Sequence, residues 1–164
     1  MQKRCYFLLI SIVLLSCTTA SRDKSSHPVE TNESVILPDQ DIALQFINAY
    51  TEWITQNPDS VDVWIIRSPL VTDQFKSAYK NLKDSALQAA PEIGLGFDPI
   101  LDAQDYPDKG FEIIHRDSTS EFVTVRGIDW PEFLLVLKLA NHENKWQVDG
   151  SGVINMPKNR RADR

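Results

Sequence analysis

The sequence has few cysteines, few histidines and no long apolar run, and each shortage excludes a class of protein. Both cysteines, Cys5 and Cys17, lie near the N-terminus, so the rest of the chain holds no disulfide framework and no thiolate metal site. The histidines lack the His-x-His or His-Glu-x-x-His spacing of zinc sites, and we predict no zinc and no cofactor. No stretch reaches the roughly 20 apolar residues of a membrane-spanning helix.

Positive charge is also scarce. The 164 residues carry 17 Lys and Arg against 23 Asp and Glu, a formal net charge of -6. Such a surface repels nucleic-acid phosphates, so we predict that the protein does not bind nucleic acid. The basic tail at residues 158–164 is the exception and is too short to reverse this prediction. The length allows one domain with appendages.

The N-terminus has the pattern of a targeting signal. Lys3-Arg4 precedes a mostly apolar run at residues 6–15, too short to span a bilayer, and we predict a signal peptide at residues 1–16. Its end, Leu14-Leu15-Ser16-Cys17, resembles the lipobox of bacterial lipoproteins. This resemblance implies cleavage before Cys17 and acylation of that cysteine. A secretory signal with an incidental cysteine is the alternative.

The segment after the cysteine is predicted to be a tether. Residues 18–37 are mostly polar and cannot bury enough surface to offset the entropy lost on ordering, so we predict a lipidated, disordered tether at residues 17–37. About 20 flexible residues reach roughly 25 Å, which keeps a domain near the membrane. Thr18 follows the cysteine in place of aspartate. The resemblance to enterobacterial lipoproteins then implies the outer membrane, with the domain facing the periplasm.

The first half of the remaining chain is predicted to be helical. Apolar residues at spacings of three and four predict one helix over residues 40–56 and a second long helix that ends at Ala90-Pro91. Ser68-Pro69 fits the N-cap and first residue of that second helix. Residues 60–66 fit a short strand or a helical turn, and the sequence does not decide between them.

The second half is predicted to be strands. Alternating apolar residues predict strands at residues 111–116, 121–126, 132–140 and 145–149. Gly150-Ser151-Gly152 predicts a bend or bulge before a continuation at residues 153–156. We therefore predict an α+β domain over residues 38–157, with two N-terminal helices packed on a curved antiparallel sheet of about four strands.

A constrained loop, Gly94 to Phe111, joins the two halves. Its four aspartates are spaced by four, three and three residues, without the alternating ligands and terminal glutamate of an EF-hand, so a non-standard cation site is the only calcium-like alternative. We predict instead that Asp98 and Asp105 accept backbone N–H bonds in Asx turns or cap a short helical turn. Asp98, Asp102, Asp105 and Tyr106 are candidate contacts for a ligand or partner.

Two resemblances to known families add to the predicted α+β fold. The order of elements, the aromatic-rich first helix and the closing Trp146-Gln147-Val148-Asp149-Gly150 are similar to the nuclear-transport-factor-2-like cone, in which a bent sheet wraps helices around a pocket. Phe97-Asp98-Pro99 and Ala103-Gln104-Asp105, with the same tryptophan segment, resemble an uncharacterised domain family of bacterial secreted proteins and lipoproteins. The resemblance covers residues 40–157 and implies no known activity.

An enzyme is the alternative function. Asp149 lies within a predicted strand, and beside Asp102 or Asp105 it would form a carboxylate pair that could act as acid and base. The resemblance to the cone implies that such chemistry is possible, because related cones include isomerases and dehydratases that use aspartate. However, alternation places Asp149 opposite Trp146 and Val148, and no serine has a Gly-x-Ser-x-Gly setting. We therefore assign no catalytic residue, and an isomerase or hydrolase using Asp105 and Asp149 stays the alternative.

Two surface features predict binding. Trp130 precedes Pro131 in a turn without an evident core position, so it is a candidate contact anchor. The third strand is apolar on both faces, and we predict that Leu134 and Val136 are covered by residues 60–66 or by another chain. The sequence as a whole predicts a non-enzymatic, lipid-anchored domain. Its binding target would be an envelope protein or a small ligand, with immunity against a toxin as one form of such binding.

Overall fold

The computed structural model describes residues 37–116 and 119–162. The first helix, α1 (Asp41–Gln56), has the predicted bounds to within one residue. Phe46, Ile47 and Tyr50 form its buried stripe at spacings of three and four, and Asp41 in the first turn favours the positive end of the helix. The helix ends at Asn57, and Pro58 begins a short 3-10 turn, Pro58–Ser60.

The segment that the sequence left undecided is a helix, α2 (Val61–Arg67). Its seven residues are too few to form a stable helix alone, so packing must hold them. The Trp64 ring lies 6.0 Å from Phe46 and 5.7 Å from Tyr50, between ring centroids, and Ile65 is fully buried. These contacts with α1 explain why periodicity alone could not settle the segment.

The predicted start of the second long helix at Ser68-Pro69 is wrong. That helix, α3, spans Asp73–Ala89, and its N-cap is Thr72, whose hydroxyl accepts the Phe75 N–H at 3.0 Å. The preceding residues are extended because they pair with the last strand: Thr72 N donates to Val148 O at 3.0 Å, and Val148 N donates to Leu70 O at 2.8 Å. The helix ends at Ala89, as predicted.

Among the described residues, four strands follow in an antiparallel meander of order β1-β2-β3-β4, which confirms the predicted α+β fold; the sheet is open. The strands are β1 (Phe111–His115), β2 (Phe122–Gly127), β3 (Leu134–His142) and β4 (Lys145–Ser151). The turn between β3 and β4 contains only Glu143 and Asn144, at φ 51° and 65°, where a four-residue turn was predicted. Two residues of positive φ match the twist of a tight hairpin, so β3 runs two residues further than expected.

A bulge is present in β4, but at Asp149, one residue before the predicted Gly150-Ser151-Gly152. Lys138 pairs with Gly150 and Leu139 pairs with Val148, which leaves Asp149 as the extra residue of β4. The predicted continuation of the strand at residues 153–156 is wrong. Gly152 turns the chain at φ 56°, so close to the loop that a Cβ there would lie 2.4 Å from Pro99 O.

The core lies between the helices and the inner face of the sheet. It includes helix aromatics and the inward side chains of the strands, among them Phe46, Tyr50, Ile65, Phe75, Val123, Val125, Leu135, Leu137, Leu139 and Val148. Because α2 buries Ile65 in this core, residues 60–66 lie on the inner side. They do not cover Leu134 and Val136, which alternate with the core residues and are half-buried on the outer face.

Residues of the basic tail contact the domain on that outer face. The Arg160 guanidinium carbon lies 4.9 Å from the centroid of the Phe122 ring, and Phe122 pairs with Lys138 on the outer side of the sheet. The Arg161 guanidinium donates to Met156 O at 3.2 Å. The C-terminal turn therefore contacts the outer face of the sheet at Phe122.

The predicted signal peptide, Cys17 and almost all of the tether lie outside the described residues. Within the part of the chain that the structure describes, no helix has the length and apolar character needed to cross a membrane.

Candidate ligand pocket

Polar side chains from three helices and the central loop meet at one cavity of about 380 Å³. We call it the Asp98 pocket. Its volume is in the range of about 300–1,000 Å³ that is typical of ligand sites. The lining residues are Tyr50, Pro58, Asp59, Val61, Asp62, Tyr79, Lys83, Leu87, Ile93, Gly94, Leu95, Gly96, Phe97, Asp98 and Pro99.

Asp98 joins the loop to α1 and to its own backbone. One carboxylate oxygen accepts the N–H groups of Ile100 and Leu101 at 2.8 and 2.9 Å, which confirms the predicted turn-capping role. The other oxygen accepts the Tyr50 hydroxyl at 2.5 Å. Burial raises the pKa of the Asp98 carboxyl, because lost hydration outweighs these bonds and the charge of Lys83.

A second set of polar side chains, Asp62, Tyr79 and Lys83, joins α2 to α3. The Tyr79 hydroxyl and the Lys83 ammonium both donate to Oδ1 of Asp62, at 2.7 and 2.5 Å. Burial raises the pKa of Asp62, but the bonds from Lys83 and Tyr79 outweigh it and the pKa falls below its usual value. Burial, together with Asp98, raises the pKa of Tyr50, and burial with Asp62 raises that of Tyr79. Both hydroxyls therefore stay protonated and act as donors at neutral pH.

The mouth of the pocket is apolar. Leu87 at the end of α3 and Ile93 and Phe97 in the loop are all exposed, Ile93 by 75 %. Gly94 and Gly96 take φ values of 63° and 66°, which turn the loop between these side chains. Single exposed apolar side chains are common on protein surfaces, but a group of them around a cavity is typical of a contact site.

The other loop candidates lie outside this pocket. Asp102 is half-buried in a turn at φ 54°. Asp105 is exposed and accepts no hydrogen bond within the described part of the chain, so the capping role predicted for it is wrong. Tyr106 reaches α1, where its hydroxyl lies 3.1 Å from Thr55 Oγ1. The carboxylate that caps this end of the loop is Asp129, which accepts the N–H groups of residues 108 and 109 at 3.2 and 3.1 Å.

Asp149 has the partner that a buried acid in a strand requires. Thr72 Oγ1 donates to one carboxylate oxygen at 2.7 Å, and Lys138 Nζ donates to the other at 3.1 Å. Its side-chain partners are therefore Thr72 and Lys138, and neither Asp102 nor Asp105. Because Thr72 caps α3 and Lys138 belongs to β3, this acid ties the start of α3 to the sheet.

The candidate contact residues of the sheet are also separate from the pocket. Trp130 is 43 % exposed, and its ring stands edge-on to Phe133 with the centroids 5.2 Å apart. Leu134 and Val136 lie on the outer face, opposite Arg126 and Thr124 of β2. These three residues thus belong to surfaces other than the Asp98 pocket.

The Asp98 pocket shows no metal-binding geometry. Although Asp59, Asp62 and Asp98 line it, no set of three or more His, Cys, Asp or Glu side chains within residues 37–116 and 119–162 is placed to hold a metal ion. The sequence indicates Asp98 as a site residue but gives no comparable indication for Tyr50, Asp62, Tyr79 and Lys83. The only available signal was the four-residue spacing of Tyr79 and Lys83 on one helix face.

No protein-family model, no curated protein and no solved structure matches this chain. The resemblance to the nuclear-transport-factor-2-like cone and to the bacterial lipoprotein domain therefore stays a prediction. The candidate site rests on its own geometry.

Proposed function

We propose that this protein is a lipid-anchored component of the bacterial cell envelope whose domain binds a ligand or partner protein in the Asp98 pocket, without catalysing a reaction. The anchor is Cys17, and the tether holds the domain at the outer membrane, facing the periplasm. Immunity against a toxin is one form that such binding could take. The lipobox resemblance of Leu14-Leu15-Ser16-Cys17 supports the anchor and its location.

One observation carries the binding role: an open cavity combines a hydrogen-bonded polar floor with an exposed apolar mouth. The floor is held in place by the bonds of Asp98 to Tyr50 and of Asp62 to Tyr79 and Lys83. Groups that are already positioned cost little entropy when a ligand binds. Burying Leu87, Ile93 or Phe97 against a ligand would supply free energy, at about 25 cal/mol per Å² of apolar surface.

The polar floor also favours one kind of ligand. Three carboxylates line the pocket, and two of them, Asp98 and Asp62, already accept hydrogen bonds from the protein itself. Asp59 at the rim has no described partner. The ligand is therefore expected to combine hydrogen-bond donors with an apolar surface.

Two exposed side chains provide a matched test. Leu87 is 48 % exposed at the pocket mouth, and Ile128 is 49 % exposed outside it. The mature protein, held in nanodiscs, is incubated with envelope extract, and the retained proteins and small molecules are identified by mass spectrometry. We expect retention by the wild type and by Ile128→Arg, and its loss in Leu87→Arg. If Leu87→Arg retains the same molecules as the wild type, the pocket is not the binding site.

A further inference from the structure

The Asp98 pocket carries more negative than positive charge. Among the described residues, its charged lining consists of Asp59, Asp62 and Asp98 against the single ammonium group of Lys83, a formal net charge of -2. That ammonium group already has a partner, because Lys83 Nζ donates to Asp62 at 2.5 Å. The negative charge without a partner of opposite sign therefore belongs to Asp98 and Asp59.

Asp98 is a partly buried carboxylate to which the protein gives hydrogen bonds but no counter-ion. Its three donors are the N–H groups of Ile100 and Leu101 and the hydroxyl of Tyr50, all of them neutral. None of the ion pairs within the described residues includes Asp98. Lost hydration raises the pKa of this carboxyl, which shows that the ionised form is incompletely stabilised. A carboxylate has about four acceptor positions, so Asp98 keeps one for a further donor.

Asp59 adds an accessible carboxylate at the rim of the pocket. It lies in the turn Pro58–Ser60 between α1 and α2 and is exposed. It has no hydrogen bond and no ion pair with the described residues. The pocket therefore has one open acceptor position on its floor and a second, unpaired carboxylate at its rim.

The arrangement fits an organic cation better than a metal ion. No set of three or more His, Cys, Asp or Glu side chains in the described part of the chain is placed to hold a metal ion. The cavity of about 380 Å³ has room for a small molecule, and Leu87, Ile93 and Phe97 stand exposed around its mouth. The carboxylates and these apolar side chains line one small cavity, so a single small molecule can meet both.

We propose that the Asp98 pocket binds a small organic amine. Its ammonium group donates to the open acceptor position of Asp98, and Asp59 adds attraction at the rim. Its apolar body packs against Leu87, Ile93 and Phe97. The ligand then supplies the counter-ion that the protein does not. This inference names the class of ligand for the function proposed above and rests on that function.

Three compounds with the same ring and similar length isolate the effect of charge. 2-Phenylethylammonium, 2-phenylethanol and 3-phenylpropanoate are titrated by calorimetry against the mature protein in nanodiscs of zwitterionic lipid, with empty nanodiscs as the blank. We expect the ammonium compound to bind at least about tenfold more tightly than the alcohol, and the carboxylate to bind most weakly. Equal binding of the ammonium compound and the alcohol, tightest binding of the carboxylate, or no binding of the ammonium compound overturns the inference.

Two exposed carboxylates provide matched variants. Neither Asp59 nor Asp105 has a described hydrogen bond, and only Asp59 lines the pocket. Asp59→Asn should reduce the preference for the ammonium compound over the alcohol by about threefold, as expected for an exposed ion pair. Asp105→Asn should leave the preference unchanged. An equal loss in both variants would show a general effect of the protein's net charge and contradict the inference.

The amine could instead be the side chain of a lysine on a partner protein. N-acetyl-lysine N-methylamide, which presents that ammonium group on a piece of peptide backbone, is titrated in the same way. We expect it to bind more weakly than 2-phenylethylammonium, because it lacks the apolar body that packs at the mouth of the pocket. If it binds more tightly, the ligand is a protein side chain and the inference is wrong.

The failure of this inference is distinguishable from failure of the pocket as a binding site. 2-Phenylethylammonium should bind Ile128→Arg as it binds the wild type, should lose binding to Leu87→Arg, and should displace the molecules that the wild type retains from envelope extract. If Leu87→Arg loses those molecules but 2-phenylethylammonium does not displace them, the pocket is the binding site and its ligand is not an amine. If Leu87→Arg binds 2-phenylethylammonium like the wild type, the amine binds elsewhere and the inference fails.

Discussion

Tyr50 of α1 donates a 2.5 Å hydrogen bond to Asp98, 48 residues further along the chain. The same carboxylate accepts two N–H groups of its own loop, so a single side chain fixes the loop and attaches it to the helix. The stability of the loop and the shape of the pocket therefore depend on one residue.

Removing this carboxylate should destabilise the protein. Asp98→Ala leaves the N–H groups of Ile100 and Leu101 and the Tyr50 hydroxyl without their acceptor, and we expect the free energy of unfolding to fall by about 1–3 kcal/mol. Asp105→Ala is the matched control in the same loop, and it should change stability by less than about 0.5 kcal/mol, because Asp105 is exposed and has no described hydrogen bond. Urea denaturation measures both variants. Equal effects would contradict the assignment of Asp98 as the loop's anchor.

Asp98 should also make stability depend on pH. Burial raises its pKa above the usual value of 3.8, so the folded protein binds this proton more tightly than the unfolded chain does. The free energy of unfolding should therefore fall as pH rises from about 4 through the raised pKa, and stay level above it. Asp98→Asn should lack this fall. The measurement is the difference in free energy of unfolding between wild type and variant from pH 4 to 8. The other carboxyl groups are the same in both proteins, so their contributions cancel in this difference. A wild type that gains stability relative to Asp98→Asn over this range would show that the pKa is lowered instead.

The role of Asp98 within its own loop was predictable, because its partners lie two and three residues away. The bond to Tyr50 was not, since no local pattern relates residues 48 positions apart. The same applies to Asp62, which meets Tyr79 and Lys83 through the packing of α2 on α3. The sequence therefore predicted one residue of the pocket and not the group that surrounds it.

The helix start shows a local rule overruled by tertiary structure. Ser68-Pro69 has a favourable pattern for a helix N-terminus, yet α3 begins at Asp73. Gln147 Nε2 donates to Pro69 O at 2.9 Å and to Val71 O at 3.0 Å, which holds this segment extended along β4. The partner strand is 76 or more residues away along the chain, so local sequence patterns could not predict this pairing.

The contact between Thr72 and Asp149 should appear as an energetic coupling. Thr72 caps α3 and donates to Asp149 at 2.7 Å, so both residues join the helix to the sheet. We expect Asp149→Asn to lower the free energy of unfolding by about 1–3 kcal/mol, because Lys138 loses its charged partner. The loss is limited because Lys138 is partly exposed to water. A double-mutant cycle of Thr72→Val with Asp149→Ala, which removes the acceptor that asparagine would keep, should give a coupling above about 0.5 kcal/mol. Additive effects would mean that the bond does not contribute to stability.

The two faces of β3 should respond differently to charge. Leu137 is fully buried in the core, whereas its neighbour Val136 is half-buried on the outer face. Leu137→Glu should unfold the domain, because an unpaired carboxylate cannot be buried there. Val136→Glu should keep the fold, and it should weaken self-association if a second chain covers this face. Circular dichroism and analytical ultracentrifugation report the two effects. A Val136→Glu variant that unfolds would show that the outer face is covered within the chain.

The membrane anchor is predicted to depend on Cys17 alone. Each buried acyl methylene contributes about 0.8 kcal/mol, and one chain anchors a protein only marginally, so stable attachment needs the two or three chains that lipoprotein processing adds to this cysteine. Cys17→Ser should leave the signal peptide uncleaved by the lipoprotein peptidase and the protein unlabelled by a fatty-acid probe. Cys5→Ser is the matched control, because Cys5 lies within the predicted signal peptide, and its variant should be processed and labelled as in the wild type. Labelling that survives Cys17→Ser would show that the lipobox resemblance is incidental and that another feature attaches the protein to the membrane.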